Sequence, residues 1–242
     1  MALHPTNEGG QGSQEIHRGR RYVVSRVWTG EGVSLILKQA RRGSLAPTSA
    51  AMLHHEFALL RELAEGGVTG VVRPLALKEV AESVTLVLED AGPRDLREWL
   101  KRHPAEPDTF LELALQLARI LAELHQRYVI HRDLNPSNII LAGQEPRVTV
   151  IDFDIATKAA GLADAANLLG ELELTLPYIS PEQTGRMDRL VDHRSDLYSL
   201  GATFYEMLTG QPPFTSPDPM ELVHAHLARP PLPPVHANSR IP

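Results

Sequence analysis

The residue types best suited to chemistry are concentrated between positions 131 and 152. Asp133 and Asn138 lie five residues apart in a segment rich in turn formers, and Asp152 follows the next β-like run. Three oxygen-bearing side chains can therefore converge, and such ligands bind a hard cation such as Mg²⁺ together with phosphate oxygens. Each residue alone is more readily explained as a helix or turn cap. A capped loop does not explain their order, so the spacing predicts a metal and phosphate site.

A second unusual pattern lies earlier in the chain. Lys38 ends an apolar run typical of a strand. Glu56 falls in a helical stretch, where its spacing places it on an apolar face with Met52, Leu59, Leu60 and Leu63. A lone lysine or glutamate is usually a solvated surface residue. A carboxylate on an apolar face, however, needs a partner.

The predicted secondary structure that must position these residues changes from mainly strand to mainly helix near residue 90. Before it, short β-branched runs predict an antiparallel sheet with strands at 22–27, 33–38, 71–72 and 83–88, interrupted by one helix around Leu53, Phe57 and Leu60. After it, the sequence predicts a helix capped by Asp108 and Thr109, two short strands at 138–141 and 148–151, and a buried helix from about Asp196 to Leu208 ended by Gly210.

Composition limits the classes of function. The 242 residues suit one large domain or two small ones, and the absence of cysteine excludes disulfides and thiolate zinc sites. The net charge of −6 argues against a general nucleic-acid binder. No apolar run approaches the ~20 residues that cross a bilayer, so we expect a cytoplasmic chain with no membrane segment. Residues 1–14, rich in Gly, Asn, Gln and Ser, are expected to form a flexible tail.

The order of the motifs resembles one known family. His131-Arg132-Asp133, then Asn138, then Asp152-Phe153 is similar to the catalytic loop and metal-binding turn of protein kinases. The stretch 175–182 resembles the end of their activation segment, and 196–201 the start of their buried helix. From about residue 15 to 240 the chain is identified as a member of the eukaryotic-like bacterial serine/threonine kinase family. The resemblance implies an α+β, bilobal fold with an antiparallel-sheet N-lobe (15–89) and a mostly helical C-lobe (90–242), incomplete at its C-terminal end.

The resemblance also implies catalytic roles and the use of ATP with Mg²⁺. Asp133 would orient and deprotonate the substrate hydroxyl, while Asn138 and Asp152 would hold the metal. Lys38 would hold the α- and β-phosphates, and Glu56 would pair with Lys38. This pairing accounts for the carboxylate on the apolar helix face.

The nucleotide-binding assignments by resemblance are Gly19, Val24, Ile36, Leu88, Glu89 and Ala91. Gly19 is the one glycine retained in the phosphate loop, Val24 lies above the adenine, and Ile36 narrows the pocket beside it. Leu88 would be the gatekeeper, with backbone groups of Glu89 and Ala91 binding the base. The alternative for this last segment is an edge strand leading into a loop.

Three departures from the family pattern affect the expected activity. Asn135 stands where the family has a lysine, so slower transfer is expected because a cation is missing. Arg18, Arg20 and Arg21 either compensate for the missing loop glycines or are solvated strand-edge charges. Asp154 replaces a glycine and should restrict flipping of the metal-binding turn.

The activation segment offers few places for a regulatory phosphate. Between Phe153 and Leu174, Thr157 is the single hydroxyl residue. Glu171 or Glu173 could instead supply the negative charge that pairs with Arg132. Regulation by phosphorylation within residues 160–174 is therefore not expected.

The same residues bear on the class of substrate, on the alternatives to an active kinase and on the partners of the chain. Thr175 favours a Ser/Thr hydroxyl of a protein as substrate, and the activation segment disfavours a small-molecule kinase. A pseudokinase that senses nucleotide or acts as a scaffold is the main alternative. The stretch 178–187 is similar to kinase heads of large bacterial sensor proteins, which implies signal transduction and further domains in a longer chain. In this family, C-lobe helices that follow the region of residues 219–227 supply an arginine partner for Glu182, and we expect that arginine to lie beyond residue 242.

Overall fold

The computed structural model describes residues 12–43, 46–80, 83–102, 106–158 and 175–241. Its contacts separate into two compact units, the first comprising Met1–Ala58 and Arg73–Asp90, the second Leu59–Val72 and Ala91–Pro242. The chain leaves the first unit for the last time after Asp90, one residue beyond the predicted boundary. The membership of residues 59–72 in the second unit was not predicted.

The first unit is built on a five-stranded antiparallel sheet with the order β1-β2-β3-β5-β4. Its strands are β1 (Ser13–Arg18), β2 (Tyr22–Trp28), β3 (Ser34–Ala40), β4 (Pro74–Val80) and β5 (Ser83–Glu89). The β-branched and aliphatic runs of β2, β3 and β5 favour strands because their side chains pack on a pleated surface. The predicted antiparallel sheet is therefore confirmed.

The two edge strands differ from the sequence prediction. Ser13 and Gln14 belong to β1, so the predicted tail over residues 1–14 overlaps this strand by two residues. The side chains of β1 are exposed, and its backbone pairing with β2 makes it a strand without an apolar signal. Val71 and Val72, predicted as a strand, instead form one isolated parallel bridge, between Val71 and Val150. The strand in this region, β4, begins at Pro74.

One long helix, α1 (Ala46–Glu65), follows β3. Its buried apolar residues recur at helical spacing and include Leu53, Leu59, Leu60 and Leu63. Glu56 is also fully buried. The helix thus presents a carboxylate on an otherwise apolar face, as its sequence pattern indicates.

The second unit is mostly helical, as predicted. Its helices are α2 (Leu96–Leu100), α3 (Pro107–Gln126), α4 (His193–Thr209), α5 (Pro219–Ala228) and α6 (Pro234–Ala237). Its short strands are β6 (Arg94–Asp95), β7 (Val129–Ile130), β8 (Ile139–Ala142), β9 (Arg147–Val150) and β10 (Thr157–Lys158). Strands β6, β8 and β9 form one small sheet, and β7 pairs with β10.

The helix boundaries show where the sequence signals were misassigned. Helix α3 begins at Pro107, with Glu106 at its N-cap, and not after Asp108 or Thr109. Helix α4 begins three residues before Asp196, because the Asp192 side chain accepts a hydrogen bond from the Arg194 N–H at 2.8 Å. Its predicted end at Gly210 agrees with a left-handed C-cap there. Asp196 is therefore an interior helix residue, which leaves its carboxylate for another role.

Candidate active site

The first group of candidate residues is a buried ion pair in the sheet unit. Lys38 on β3 donates from Nζ to Oε2 of Glu56 on α1 at 2.7 Å. Lys38 is 5% exposed and Glu56 is not exposed at all. Breaking such a pair leaves an uncompensated buried charge, so each side chain fixes the position of the other. The structure thus brings these two sequence-predicted residues together.

Tyr22 completes the surroundings of the lysine and was missed by the sequence reasoning. The Lys38 ammonium lies 4.6 Å from the centre of the Tyr22 ring, a cation–π geometry. Tyr22 pairs with Ala40 and Val24 with Lys38 across β2 and β3, which places Tyr22 diagonally next to the lysine on the same face. The cross-strand register, which the sequence alone does not give, is the signal that identifies this residue.

The predicted adenine contacts share the sheet face that carries Lys38. Val24 lies opposite Lys38, and Ile36 lies opposite Leu88. Directly paired residues of adjacent strands point to the same side, and residues two apart in a strand do so as well. Val24, Ile36, Lys38 and Leu88 therefore lie on one face, with Leu88 buried at the end of β5.

Glu89 and Ala91, whose backbone groups are assigned to the adenine by resemblance, come directly after Leu88 and Asp90 in the chain. The N–H of Glu89 donates to the carbonyl of Arg73 at 3.0 Å, so this N–H is already engaged within the sheet unit. The Arg73 N–H in turn donates to the Glu89 carboxylate at 3.2 Å. Ala91 is half-buried and begins the second unit after β5 ends.

The turn between β1 and β2 contains Gly19, Arg20 and Arg21, and Arg18 is the last residue of β1. The Gly19 N–H donates to the Tyr22 carbonyl at 3.0 Å, and the Gly19 carbonyl accepts from Arg41 at 2.8 Å. Arg18 forms a bidentate ion pair with Glu15 on the exposed edge. Arg18 is thus a partnered strand-edge charge, which favours the simpler of its two sequence interpretations. Arg41, which the sequence reasoning passed over, shapes this turn.

The second group of candidate residues is the loop 131–138, and its backbone is held by Asp196. The fully buried Asp196 carboxylate accepts the N–H of His131 at 2.9 Å and the N–H of Arg132 at 2.8 Å. His125 contacts the same carboxylate through Nε2 at 2.8 Å. The interior position of Asp196 on α4 therefore serves to fix the loop, while Asp192 caps the helix.

Asp133 lies at the centre of a network of neutral donors. The Asn138 amide donates to Oδ2 and to the main-chain oxygen of Asp133, both at 2.9 Å. The Asn135 amide donates to the same main-chain oxygen at 3.0 Å and to Oδ1 at 3.2 Å. Thr175 adds a side-chain hydrogen bond to Asp133. Three residues that the sequence separates by up to 40 positions thus orient one carboxylate.

These surroundings raise the pKa of Asp133 to about 7, because burial disfavours its charged form. The nearby Asp152 carboxylate raises it further, whereas the hydrogen bonds from Asn138, Thr175 and Asn135 act in the opposite direction. A carboxyl whose pKa lies near neutrality is suited to accept and release a proton at working pH. A bound cation would lower this pKa by attraction.

The Asp152 backbone is held in a left-handed conformation. Its φ is 68°, and Arg132 has a φ of 70°. Phe153, which is fully buried, stacks edge-on against His131 at 4.7 Å between ring centres. His131 also contacts the Ile151 carbonyl at 3.1 Å through Nε2. These contacts on both sides of Asp152 maintain an orientation that non-glycine residues rarely adopt.

Arg132 is buried and carries a guanidinium with an unusual environment. Burial lowers the pKa of Arg132, and the Asp196 charge acts against that effect. Gln183 donates to its main-chain oxygen at 2.6 Å. Within the described part of the chain its Nε has no hydrogen-bond partner. Glu171 and Glu173, the expected partners of this arginine, lie outside the described residues.

Two further acids near this loop have hydroxyl partners. Glu182 accepts a hydrogen bond from the Ser195 hydroxyl. Glu206 on α4 accepts one from the Tyr178 hydroxyl, and burial raises the pKa of Glu206. Arg97 also lies near Tyr178, with 3.5 Å between its Nη2 and the phenol oxygen.

Comparison with known proteins agrees with this geometry. Residues 13–234 match the family described as protein kinase domain. The chain is 32% identical over 219 residues to the serine/threonine-protein kinase PknB of Mycobacterium tuberculosis, covering 90% of this chain and 33% of PknB. It is 32% identical over 249 residues to the serine/threonine-protein kinase pkn2 of Myxococcus xanthus, covering 96% of this chain and 27% of pkn2. The chain therefore spans about a third or less of the length of these relatives.

Proposed function

The chain belongs to the protein kinase domain family, and on that premise we propose that it transfers the γ-phosphoryl group of Mg-ATP to a Ser or Thr hydroxyl of a protein. The observation that carries this proposal is the Asp133 carboxylate, held by Asn135, Asn138 and Thr175 with a pKa of about 7. The similarity to serine/threonine-protein kinases supports the same reaction. The buried pair of Lys38 and Glu56 supplies the expected phosphate ligand.

The proposed reaction is an in-line displacement at phosphorus. The substrate hydroxyl oxygen forms a bond to the γ-phosphorus while the bond from that phosphorus to the bridging oxygen breaks, and ADP leaves. Asp133 accepts the hydroxyl proton. Lys38 binds phosphate oxygens, and Glu56 together with the Tyr22 ring keeps its ammonium in place.

The residues present fit a magnesium ion. The Asn138 amide nitrogen is directed to Asp133, so its side-chain oxygen is the atom available for a cation. Asp152 lies close enough to Asp133 for its charge to raise the Asp133 pKa, which a bound cation would relieve. One amide oxygen and one carboxylate, completed by phosphate oxygens and water, make a typical Mg²⁺ donor set. The ion would neutralise charge on the phosphates.

Asn135 stands where related kinases have a lysine, so this site lacks the positive charge that the lysine would add to that of Lys38. Its side chain is fully buried and accepts the Ser137 N–H at 2.9 Å while donating to Asp133. It therefore orients the base without neutralising the transferred group. We expect Lys38 and the metal to carry more of that charge, with slower transfer as the consequence.

The cellular context is also part of the proposal. Within the described residues no helix has the length and apolar character needed to span a bilayer. The use of ATP and the absence of cysteine favour action in the cytoplasm. The relatives are much longer than this chain, which supports further domains and a role in signal transduction. The protein substrate would be recognised as a Ser or Thr hydroxyl presented to Asp133.

A transfer assay tests the proposal against the alternative of a pseudokinase that senses nucleotide or acts as a scaffold. The full-length protein is incubated with γ-labelled Mg-ATP and a generic Ser/Thr substrate, beside Asp133→Asn and the exposed control Asp188→Asn. We expect transfer by wild type and Asp188→Asn, and a loss of about a thousandfold in Asp133→Asn. Nucleotide binding without transfer, equal in all three proteins, would establish a pseudokinase.

A further inference from the structure

A second buried ion pair in the first unit has no part in the proposed chemistry. Arg26 on β2 donates from Nε to Oδ2 of Asp90 at 2.7 Å and from Nη2 to Oδ1 at 3.0 Å. The two side chains are 17% and 10% exposed. Two parallel bonds between a guanidinium and a carboxylate fix orientation as well as distance. Because the pair is mostly buried, salt screens it little.

The ion pair of Arg26 and Asp90 lies at the sheet face that carries the proposed nucleotide contacts. Arg26 lies opposite Ile36, and Ile36 lies opposite Leu88. Arg26 thus shares the face that carries Val24 and Lys38, but at the end away from the lysine. This is the part of the face where the proposed adenine contacts lie. A charged side chain placed there requires either a ligand or a partner, and its partner is Asp90.

Asp90 immediately follows the residue whose backbone is assigned to the base. The last register pair of β5 with β3 joins Glu89 to Leu35, so Asp90 lies beyond the ladder. On the other side, the Glu89 N–H is bonded to the Arg73 carbonyl. The segment Glu89–Asp90 is therefore held from the β4 side by Arg73 and from the β2 side by Arg26.

We propose that Arg26 is a positioning residue for nucleotide binding, which acts through Asp90 to fix the Glu89 carbonyl for the exocyclic amine of adenine. This inference rests on the proposed function and adds a residue to it. Arg26 would govern affinity for the base, whereas Lys38 governs affinity for the phosphates. A lysine at position 26 could not reproduce the two parallel bonds, since it offers a single point of charge.

The test separates base affinity from phosphate affinity with two probes, adenosine and Mg-ATP, measured by calorimetry on the full chain. The variants are Arg26→Lys, the exchanged pair Arg26→Asp with Asp90→Arg, and Lys38→Met. Arg61→Ala, which removes an exposed ion pair with Glu65 on α1, is the matched control. Melting temperatures identify any variant that fails to fold. If Arg26→Lys fails to fold, the exchanged pair still tests the inference, because its two opposite charges compensate each other.

We expect Arg26→Lys to raise the Kd for adenosine and the KM for ATP about tenfold, with kcat within about twofold of wild type. The exchanged pair should recover most of this loss. Lys38→Met should weaken Mg-ATP binding and leave adenosine binding unchanged, and Arg61→Ala should change neither. A purely structural pair would instead lower the melting temperature of Arg26→Lys and leave its adenosine Kd unchanged, which would overturn the inference.

Failure of the underlying function has a different signature. If wild type binds neither adenosine nor Mg-ATP, the proposed function itself is wrong and the inference falls with it. If wild type binds both and the Arg26 variants bind equally well, the inference alone is wrong.

Discussion

The two groups of candidate residues, one in each unit, are held in place by different kinds of interaction. In the first unit a charged side chain on a strand is fixed by a charged side chain on a helix, 18 residues away in sequence. In the second unit the Asp133 carboxylate is surrounded by neutral amide and hydroxyl donors. The Lys38 charge is therefore compensated, whereas among the described residues the groups that stabilise the Asp133 charge are hydrogen-bond donors.

This difference corresponds to the two proposed tasks, which are phosphate binding by Lys38 and proton acceptance by Asp133. A residue that binds phosphate must keep its charge and position, and a close counter-ion favours both. A residue that accepts a proton must be able to take up both charge states near the working pH, and burial among neutral donors places the pKa of Asp133 at about 7. Asn135 is one of these donors and orients Asp133 without adding charge.

The largest expected effect comes from breaking the ion pair of the first unit. Glu56→Ala leaves the Lys38 ammonium buried without compensation, so the free energy of unfolding should fall by about 3–5 kcal/mol. Urea denaturation measures this. The double variant Lys38→Met with Glu56→Leu should recover most of the stability but no phosphoryl transfer. A loss below about 1 kcal/mol in the single variant would show that the pair contributes little.

A smaller effect is expected from the anchor of the loop in the second unit. Asp196→Asn keeps the shape of the side chain but can no longer accept both the His131 and Arg132 N–H groups. One buried donor loses its partner, which should cost about 1–3 kcal/mol in unfolding free energy and should also slow transfer. Asp218→Asn, at the exposed N-cap of α5, is the control. Full activity of Asp196→Asn would contradict the anchoring role.

Acidification should weaken the second unit through His226 on α5. Burial lowers the pKa of His226 from 6.5 to about 4, and its Nδ1 contacts the Tyr198 hydroxyl at 2.7 Å. Between these two values the unfolded chain binds the proton more readily, so stability falls as pH drops below about 6.5 and levels off near 4. The slope is at most about 1.4 kcal/mol per pH unit. His226→Gln should remove this slope in denaturation series across pH, and an unchanged slope would assign it to other groups.

The smallest effect concerns the ring beside Lys38. Tyr22→Leu removes the cation–π contact and should cost about 0.5–1 kcal/mol in stability, with a modest rise in the KM for ATP. Tyr22→Phe retains the ring and serves as the control in the same assays. If the leucine and phenylalanine variants behave alike, the ring is not a partner of the ammonium.

The sequence allowed much of the second unit's site to be predicted, because its order of residues is local. Asp133 and Asn138 lie within one turn, and Asp152 follows the hairpin of β8 and β9, so spacing alone brought them near one another. The need of Glu56 for a partner was also predictable, since a carboxylate on an apolar helix face requires one, and the family resemblance identified Lys38 as that partner. Strands β2, β3 and β5 of the sheet followed from their β-branched runs, whereas the edge strands β1 and β4 did not.

The residues that were missed depend on pairing between strands. Tyr22 meets Lys38, and Arg26 meets Asp90, through the register of β2, β3 and β5. A shift of one residue would move each side chain to the opposite face, and nothing in the individual strands specifies that choice. The predicted start of α4 near Asp196 was three residues late, because the capping side chain is that of Asp192.

The left-handed backbone at Arg132 and Asp152 has a consequence for engineering this protein. Glycine would adopt these angles at no steric cost, whereas a side chain costs roughly 1–2 kcal/mol at each position. A designer seeking only heat resistance would therefore replace both residues with glycine. That change would remove the Asp152 carboxylate, which is proposed to hold the metal, and the buried Arg132 guanidinium next to Asp133 in the chain. Thermal stability and catalysis therefore make opposite demands on the same two positions.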